Sequence, residues 1–193
     1  MDFRTAIPRP FLAYWPSLAK QDDIAERAHI LDANGKETDS VDAGHPPKYE
    51  ELQARANYET ANPINIETLG PVKTVRLGDV ALGRSGDKGA NINLGLFVRE
   101  PAAWDWLRTH MTCAKLRELA GVDLRDEFFI ERVEFPNIHA VHFVIYGYLG
   151  RGVSSATNLD VLGKGFADYI RHREVEVPES VLEKIGPKPN LPL

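Results

Sequence analysis

The stretch LGRSGDKGANINLGLFV, residues 82–98, places six polar side chains among glycines and between two apolar runs. It overlaps two segments rich in β-branched and apolar residues, VKTVRLGDVALGR (72–84) and NINLGLFV (91–98), and each of these predicts a β-strand. The polar residues are therefore expected on a short connection between two strands. So much polar chemistry on one connection makes this stretch the first candidate for a functional site.

The segments that follow predict an α+β domain with a mainly antiparallel sheet and helices on one face. Working along the chain, we expect helical segments at 101–111 and 112–121, strands at 126–135 and 139–149, a helix at 158–173 and a strand at 174–177. The segment HAVHFVIYGYL (139–149) is nearly all apolar, which predicts a central strand covered on both faces.

Three parts are predicted along the chain: an irregular arm (1–71), a folded domain (72–178) and an extended tail (179–193). The arm is rich in proline and lacks sustained apolar periodicity. Within it, residues 17–31 favour a helix capped by Ser17, and residues 32–63 favour loop. Its aromatic residues are expected to pack either on the chain's own core or on a partner subunit; they are Phe3, Phe11, Tyr14 and Trp15.

Composition argues against several classes of function. The net charge of -5 is unlike that of a broad nucleic-acid surface, which needs clustered lysine and arginine. Cys113 is the only cysteine, so the chain has no intrachain disulfide and no cysteine-based zinc site; a buried core position is expected for it. No apolar run approaches the roughly 18 residues that span a bilayer, and the N-terminus lacks signal-peptide features. We therefore expect no membrane partner and a cytoplasmic location.

The residues of SGDKGAN (85–91) suit an anion-binding loop. Gly86 and Gly89 allow backbone conformations that expose amide groups, and Lys88 adds a positive charge. Asp87 has three possible roles: it could fix the loop, orient Lys88 or act as a general base. The same composition is also typical of an ordinary hairpin turn, so both interpretations stay open.

A second glycine-flanked loop, YLGRGVSSATN (148–158), follows the predicted central strand. Arg151 between two glycines could bind a carboxylate or phosphate with both guanidinium nitrogens, or it could be a solvated surface residue. His139 and His142 are three apart on a predicted strand and so point to opposite faces, which argues against a shared metal. Of the two, His139 is the better-placed acid or base.

These residues form one hypothetical site, with neither a metal nor a redox cofactor expected. Asp87, Lys88 and His139 are the predicted catalytic residues. The predicted substrate-binding residues are Arg84, Ser85, Asn91, Asn93, Arg151, Ser154 and Ser155.

Four stretches resemble the C-terminal domain of the acyclic terpene utilisation (AtuA) family: LGDVALGRSGDKGANINLGLFVR, WDWLR, VEFPNIHAVHFVIYGYLGRGVSS and LDVLGKGFADYI. The resemblance covers about residues 72–177. Gly83 stands where an alanine is usual, and Ala90 stands where an acidic residue is common, which argues against a catalytic role at position 90. The segments PFLAYWPSLAKQ and VDAGHPPKYEEL are similar to the part that joins the two domains of long, fungal-looking members.

The resemblance implies a ferredoxin-like α+β fold and a place near acyl-CoA or isoprenoid-carboxylate metabolism. A larger N-terminal domain normally precedes this one, so we expect either a stand-alone homologue or one part of a longer or split protein. The first hypothesis is a domain that binds, and transforms without redox chemistry, a small anionic apolar molecule; hydration, dehydration, isomerisation and cyclisation all fit. The second is a non-catalytic module that forms a homo-oligomer or docks on a larger AtuA-type domain.

Overall fold

The computed structural model describes residues 17–45, 48, 50–53 and 55–186, together with positions 7, 8 and 10. These residues belong to two compact units: one holds the described residues from 17 to 56, and the other holds positions 7, 8 and 10 and residues 57–186. The predicted aromatic cluster of the arm and the last seven residues of the predicted tail lie outside the described residues; they are Phe3, Phe11, Tyr14, Trp15 and residues 187–193.

The smaller unit contains a β-hairpin where the sequence predicts a helix followed by loop. Strands β1 (Arg27–Leu31) and β2 (Glu37–Asp42) pair antiparallel, and a single 3-10 turn at Gln21–Asp23 precedes them. The prediction of a helix over residues 17–31 is therefore wrong. The predicted irregular arm also contains regular structure, the hairpin of β1 and β2.

Local turn chemistry explains this hairpin. The carboxylate of Asp32 accepts hydrogen bonds from the backbone amides of Asn34 and Lys36, and Gly35 adopts a φ of 78°. An aspartate followed by a glycine with positive φ is typical of a hairpin turn. These turn residues determine the local structure more strongly than the uneven apolar spacing of residues 17–31, which predicted a helix.

The larger unit is an α+β fold with antiparallel sheets, as predicted. Its main sheet has the strand order β4–β5–β7–β6, formed by β4 (Leu82–Lys88), β5 (Asn91–Phe97), β6 (Ile130–Phe135) and β7 (Ala140–Ile145). A second sheet pairs β3 (Val72–Arg76) with β8 (Glu174–Pro178). The helices are α1 (Leu77–Val80), α2 (Pro101–His110), α3 (Cys113–Ala120), α4 (Phe166–Arg171) and α5 (Glu179–Ile185). Among the described residues, no helix has the length and apolar character needed to cross a membrane.

Several element boundaries differ from the sequence prediction: β6 begins at Ile130 and not at 126, and β7 ends at Ile145 and not at 149. The strand predicted over residues 72–84 is broken by the single turn of α1. The helix predicted over residues 158–173 is confined to α4, because Gly163 has a φ of 62° and Gly165 is the N-cap. The tail predicted to be extended from residue 179 begins with α5.

The main sheet has a helical face, buried against α2, α3 and α4, and an outer face on its other side. On β5, the side chains of Ile92, Leu94 and Leu96 are completely buried in the core, and they alternate with half-buried residues on the outer face. Strand β7 alternates in the same way from Val141 to Ile145, so it is fully buried on one face only; the prediction of burial on both faces is wrong. The outer face comprises Arg84, Gly86, Lys88, Asn91, Asn93, Gly95, Glu131, Val133, Phe135, His142 and Val144.

The crossover segment, residues 160–166, passes along the edge strand β4 and leads into α4. The buried hydroxyl of Ser85 accepts a hydrogen bond from the amide of Ala167 (2.8 Å) and donates one to the carbonyl of Lys164 (3.2 Å). The carboxylate of Asp160 accepts hydrogen bonds from the amides of Lys164 and Gly165. Ser85 therefore joins two parts of the fold with its buried hydroxyl, and the substrate-binding role predicted for it stays a prediction.

A buried arginine connects the sheet to the end of α2. Arg132 on β6 is 2% exposed and donates hydrogen bonds to the carbonyls of Met111 and Arg108. Its guanidinium also forms an ion pair with Glu134 at 2.9 Å. The buried charge thus satisfies backbone acceptors that the end of a helix leaves without partners.

We expect Gly163→Ala to destabilise the larger unit by about 3 kcal/mol, the sum of a left-handed backbone penalty and overpacking of the core. A Cβ at this position would lie 2.5 Å from Cδ1 of Ile92. Gly150→Ala is the matched control, because Gly150 has a φ of 60° with nothing within 4 Å of its Cβ position; a loss of about 1 kcal/mol is expected there. Urea unfolding measures both, and equal losses would show that the contact with Ile92 is unimportant.

We also expect acid sensitivity from His110. Burial, and then the charge of Lys115, lower the pKa of His110 to about 4 from an ordinary 6.5. The unfolded chain binds this proton more readily, so stability is fully present above pH 6.5 and falls as the pH drops toward 4. The full loss is about 3 kcal/mol.

Urea unfolding at pH 7 and pH 4.5 tests this expectation. His110→Gln should reduce the difference between the two pH values, whereas His172→Gln, at an exposed position, should leave it unchanged. The same pH dependence in both variants would contradict the assignment to His110.

Candidate functional site

The residues expected on a polar loop lie within the strands of the main sheet. Arg84 and Lys88 belong to β4, Asn91 and Asn93 belong to β5, and the turn between the strands is no longer than Gly89 and Ala90. Residues 84–88 are extended and pair with β5. They therefore do not form the expected concave row of exposed amides, and any contact of these residues with a ligand would be made by their side chains.

Strand register arranges these side chains in rows across the outer face. One row runs from Arg84 through Gly95 and His142 to Val133. The next row runs from Gly86 through Asn93 and Val144 to Glu131. A third row places Lys88 beside Asn91. Cations on β4, amides on β5 and an imidazole on β7 thus share one surface.

Lys164 joins this surface from a distant part of the sequence. A Cβ added at Gly86 would lie 2.8 Å from the amine of Lys164 and 3.8 Å from Oδ1 of Asn93. The ammonium group therefore lies where any other residue at position 86 would place its side chain. Arg84, Lys88 and Lys164 together form what we call the cationic edge.

None of the ion pairs among the described residues involves the cationic edge. An anion on this surface could accept charge-assisted hydrogen bonds from these side chains.

Asn93 and His142 form a hydrogen-bonded pair at the centre of the outer face. Nδ2 of Asn93 lies 2.9 Å from Nε2 of His142. An amide nitrogen donates, so Nε2 accepts and the ring proton is on Nδ1. Burial, and then the charge of Lys88, lower the pKa of His142, while Glu131 opposes the shift. The imidazole is therefore neutral at pH 7, with its only lone pair, on Nε2, engaged by the amide of Asn93.

The second glycine-rich loop meets the β4–β5 turn at one end of the sheet. The amide of Leu149 donates to the carbonyl of Ala90 (2.9 Å), and a Cβ at Gly152 would lie 3.4 Å from the carbonyl oxygen of Gly89. Oδ1 of Asn91 accepts a hydrogen bond from the amide of Gly147 at 2.9 Å. Asn91 thus holds the second loop against the turn. Asn93, two residues along β5, instead contacts His142 on the outer face.

Three predicted binding residues lie on the second loop, beyond the strand rows. Arg151 and Ser154 are exposed, and Ser155 is half-buried in the turn, where its amide donates to the carbonyl of Gly152. Their loop contacts the β4–β5 turn through Gly152. These residues therefore border the outer face at the end that carries Lys88.

Asp87 and His139, both predicted to move a proton, are not brought together with Lys88. Strand alternation directs Asp87 to the helical side of β4. His139 lies at the other end of the sheet, between β6 and β7, where it has a φ of 49° and its ring centroid is 6.1 Å from that of Trp104. The histidine of HAVH that lies on the outer face is His142, because alternation along β7 directs it there; the catalytic role of His139 stays a prediction.

Neither a thiolate nor a metal site emerges from the described residues. Cys113 begins α3 half-buried, and burial, followed by Glu59, raises the pKa of its thiol to about 11, so it is protonated at neutral pH. In the part of the chain that the structure describes, no three histidine, cysteine, aspartate or glutamate residues are grouped as metal ligands would be.

Comparison with known proteins identifies the domain that carries this site. The family model of the AtuA ferredoxin-like domain matches residues 75–176, more than half of the chain, so the chain belongs to that family. No curated protein and no solved structure matches the chain significantly.

We expect Lys88→Gln to raise the pKa of His142 toward its ordinary value, because the variant removes a positive charge that opposes protonation of the ring. Titration of the imidazole protons by NMR measures this shift. Lys73→Gln on β3, outside the main sheet, is the matched control and should leave the titration unchanged. An unchanged titration in Lys88→Gln would mean that the two groups do not interact.

Proposed function

We propose that this AtuA ferredoxin-like domain binds a small anionic molecule with an apolar body on the outer face of its main sheet. An isoprenoid carboxylate or an acyl-CoA is the class that fits both the site and the family. The observation that carries the proposal is the amine of Lys164 lying over Gly86, on the surface that Lys88 and Arg84 also share.

The charge of this surface favours an anion. The chain as a whole has a net charge of -5, yet three cations lie along one edge of one sheet. A carboxylate or phosphate group bound there would accept charge-assisted hydrogen bonds from Lys88 and Lys164, each worth about 1.5–3 kcal/mol when shielded from water. Arg84, one row along, could bind a second oxygen of the same group.

Apolar side chains next to the cations suit the body of such a ligand. Val133 and Val144 are half-buried on the outer face, and Phe135 is 46% exposed, with its ring edge-on to that of His142 at 6.2 Å. A branched hydrocarbon lying from β4 toward β6 would cover these groups while its anionic end stays at the cationic edge. Burial of this kind contributes about 25 cal/mol for each Å² of apolar area.

His142 is the residue that we assign to proton transfer in this site. Its neutral ring lies in the row of Arg84, and its hydrogen bond to Asn93 fixes the tautomer. When a ligand displaces the amide of Asn93 from Nε2, the freed lone pair of this neutral imidazole can remove a proton from carbon or activate water. This supports hydration, dehydration, isomerisation or cyclisation, none of which needs a redox cofactor.

A second candidate function is docking of this face on a larger AtuA-type domain or on another copy of the chain. Several apolar side chains around β6 and β7 are substantially exposed, which is typical of an interaction surface. They are Phe129, Phe135, Ile138 and Tyr146, exposed by 52%, 46%, 65% and 40%.

A thermal-shift experiment with a branched isoprenoid carboxylate, its methyl ester and isovaleryl-CoA tests the proposal. At about 100 times the dissociation constant, the two anions should raise Tm by about 5 °C or more, and the neutral ester should not. Lys164→Gln and Gly86→Ala should each weaken binding about tenfold, because one removes the ammonium group and the other displaces it. Lys73→Gln is the charge-matched control.

The outcomes separate the two functions. Binding of the ester as tight as that of the acid would refute an anion site. The absence of any shift, together with a mass in solution above that of one chain, would favour the docking function.

A further inference from the structure

A cavity lies on the helical side of the sheet, away from the cationic edge. It has a volume of about 650 Å³, within the range of small-molecule sites. It opens between the turn that follows α3 and the long connection from β7 to α4. Its walls include Asp123, Phe128, Tyr148, Asp160, Phe166 and Tyr169.

The aromatic rings of this cavity form a continuous row. Ring centroids are 5.7 Å apart between Phe128 and Tyr148, and 5.4 Å apart between Tyr148 and Phe166. The row continues to Tyr169, whose centroid lies 6.5 Å from that of Phe166. A ligand in the cavity therefore meets the π-electrons of several rings at once.

Both ends of the row already hold a cation. The guanidinium of Arg125 lies 5.0 Å from the ring centroid of Phe128, and that of Arg173 lies 4.2 Å from the centroid of Tyr169. Negative ring faces attract cations most strongly where water is displaced. The aromatic wall is thus of a kind that binds positive charge.

The carboxylates of the cavity add to this preference. Burial first, and then the charges of Asp123 and Asp160, raise the pKa of Tyr148, so both carboxylates act on the middle of the aromatic row. Arg125 is the cation of the wall, but Glu127 pairs with it at 2.8 Å. The two arginines at the ends of the row are outnumbered by the carboxylates of Asp123, Glu127 and Asp160, so the net charge around the cavity is negative, which suits a cation and opposes an anion.

We propose that this cavity binds a small organic ammonium ion with an apolar substituent, held by the aromatic row and by Asp123 and Asp160. The ligand differs in charge from the one proposed for the outer face, and no residue of the cationic edge lines the cavity. The two sites can therefore be tested separately.

Amide NMR spectra of the full chain, titrated with three probes of similar size, test the proposal. The probes are benzyltrimethylammonium, phenylacetate and benzyl alcohol, which carry a positive, a negative and no charge. We expect benzyltrimethylammonium to give saturable shifts at Phe128, Tyr148 and Gly165, with a Kd at least tenfold below that of either other probe.

Substitution of one carboxylate gives a second measurement. Asp123→Asn should weaken binding of the ammonium probe at least fivefold, because it removes charge from the cavity wall. Asp126→Asn, an exposed change of the same kind three residues away, should change it less than twofold. If Asp123→Asn fails to fold, the comparison of the three probes on the unchanged chain still decides the matter.

Three results would overturn the proposal. Phenylacetate binding as tightly as the ammonium would show that positive charge is not selected. Equal weakening in both variants would indicate diffuse attraction to an acidic chain. Shifts confined to Asn93 and His142 would place the probe on the outer face.

Discussion

The close passage of the crossover segment over β4 is the constraint on which the rest of the larger unit depends. At Gly163 the backbone lies so near Ile92 that a Cβ would overlap it, and at Gly86 the amine of Lys164 occupies the space of a side chain. Between these points Ser85 uses both its donor and its acceptor on the segment. Two glycines and a buried hydroxyl thus fix where α4 begins, which positions Phe166 in the core.

Much of the fold could be predicted because the spacing of apolar residues and the positions of glycine and proline depend directly on local structure. The order of strands and helices from β3 to β8 follows from apolar spacing, and the family resemblance pointed to the same architecture. The hairpin of β1 and β2 was missed because both strands are exposed, and an exposed strand lacks the alternation of apolar and polar residues that marks a half-buried one. The limits of the polar stretch were also misjudged, since glycine and charged residues in β4 have the composition of a turn.

The candidate site was predicted only in part, for physical reasons. Alternation along β4 and β5 could have separated Ser85 and Asp87 from Lys88 and Asn93, and it could have preferred His142 to His139. Lys164 could not have been found in this way, because its place depends on a tertiary contact 79 residues away in sequence. The burial and the nearby charge of Lys88 that lower the pKa of His142, and its hydrogen bond with Asn93, likewise exist only after three strands have paired.

Through Lys164, the crossover segment contacts both sides of the sheet. Its carbonyl is held by Ser85 on the helical side, while its amine lies on the outer face; its neighbours Asp160, Gly165 and Phe166 form part of the aromatic cavity wall. Local opening of the crossover segment, residues 160–166, would remove the ammonium group of Lys164 from the outer face. The same opening would remove part of the cavity wall from the helical side. A ligand that binds on one side of the sheet and orders the segment therefore lowers the entropic cost of binding a ligand on the other side. By thermodynamic linkage, the second ligand favours binding of the first to the same extent.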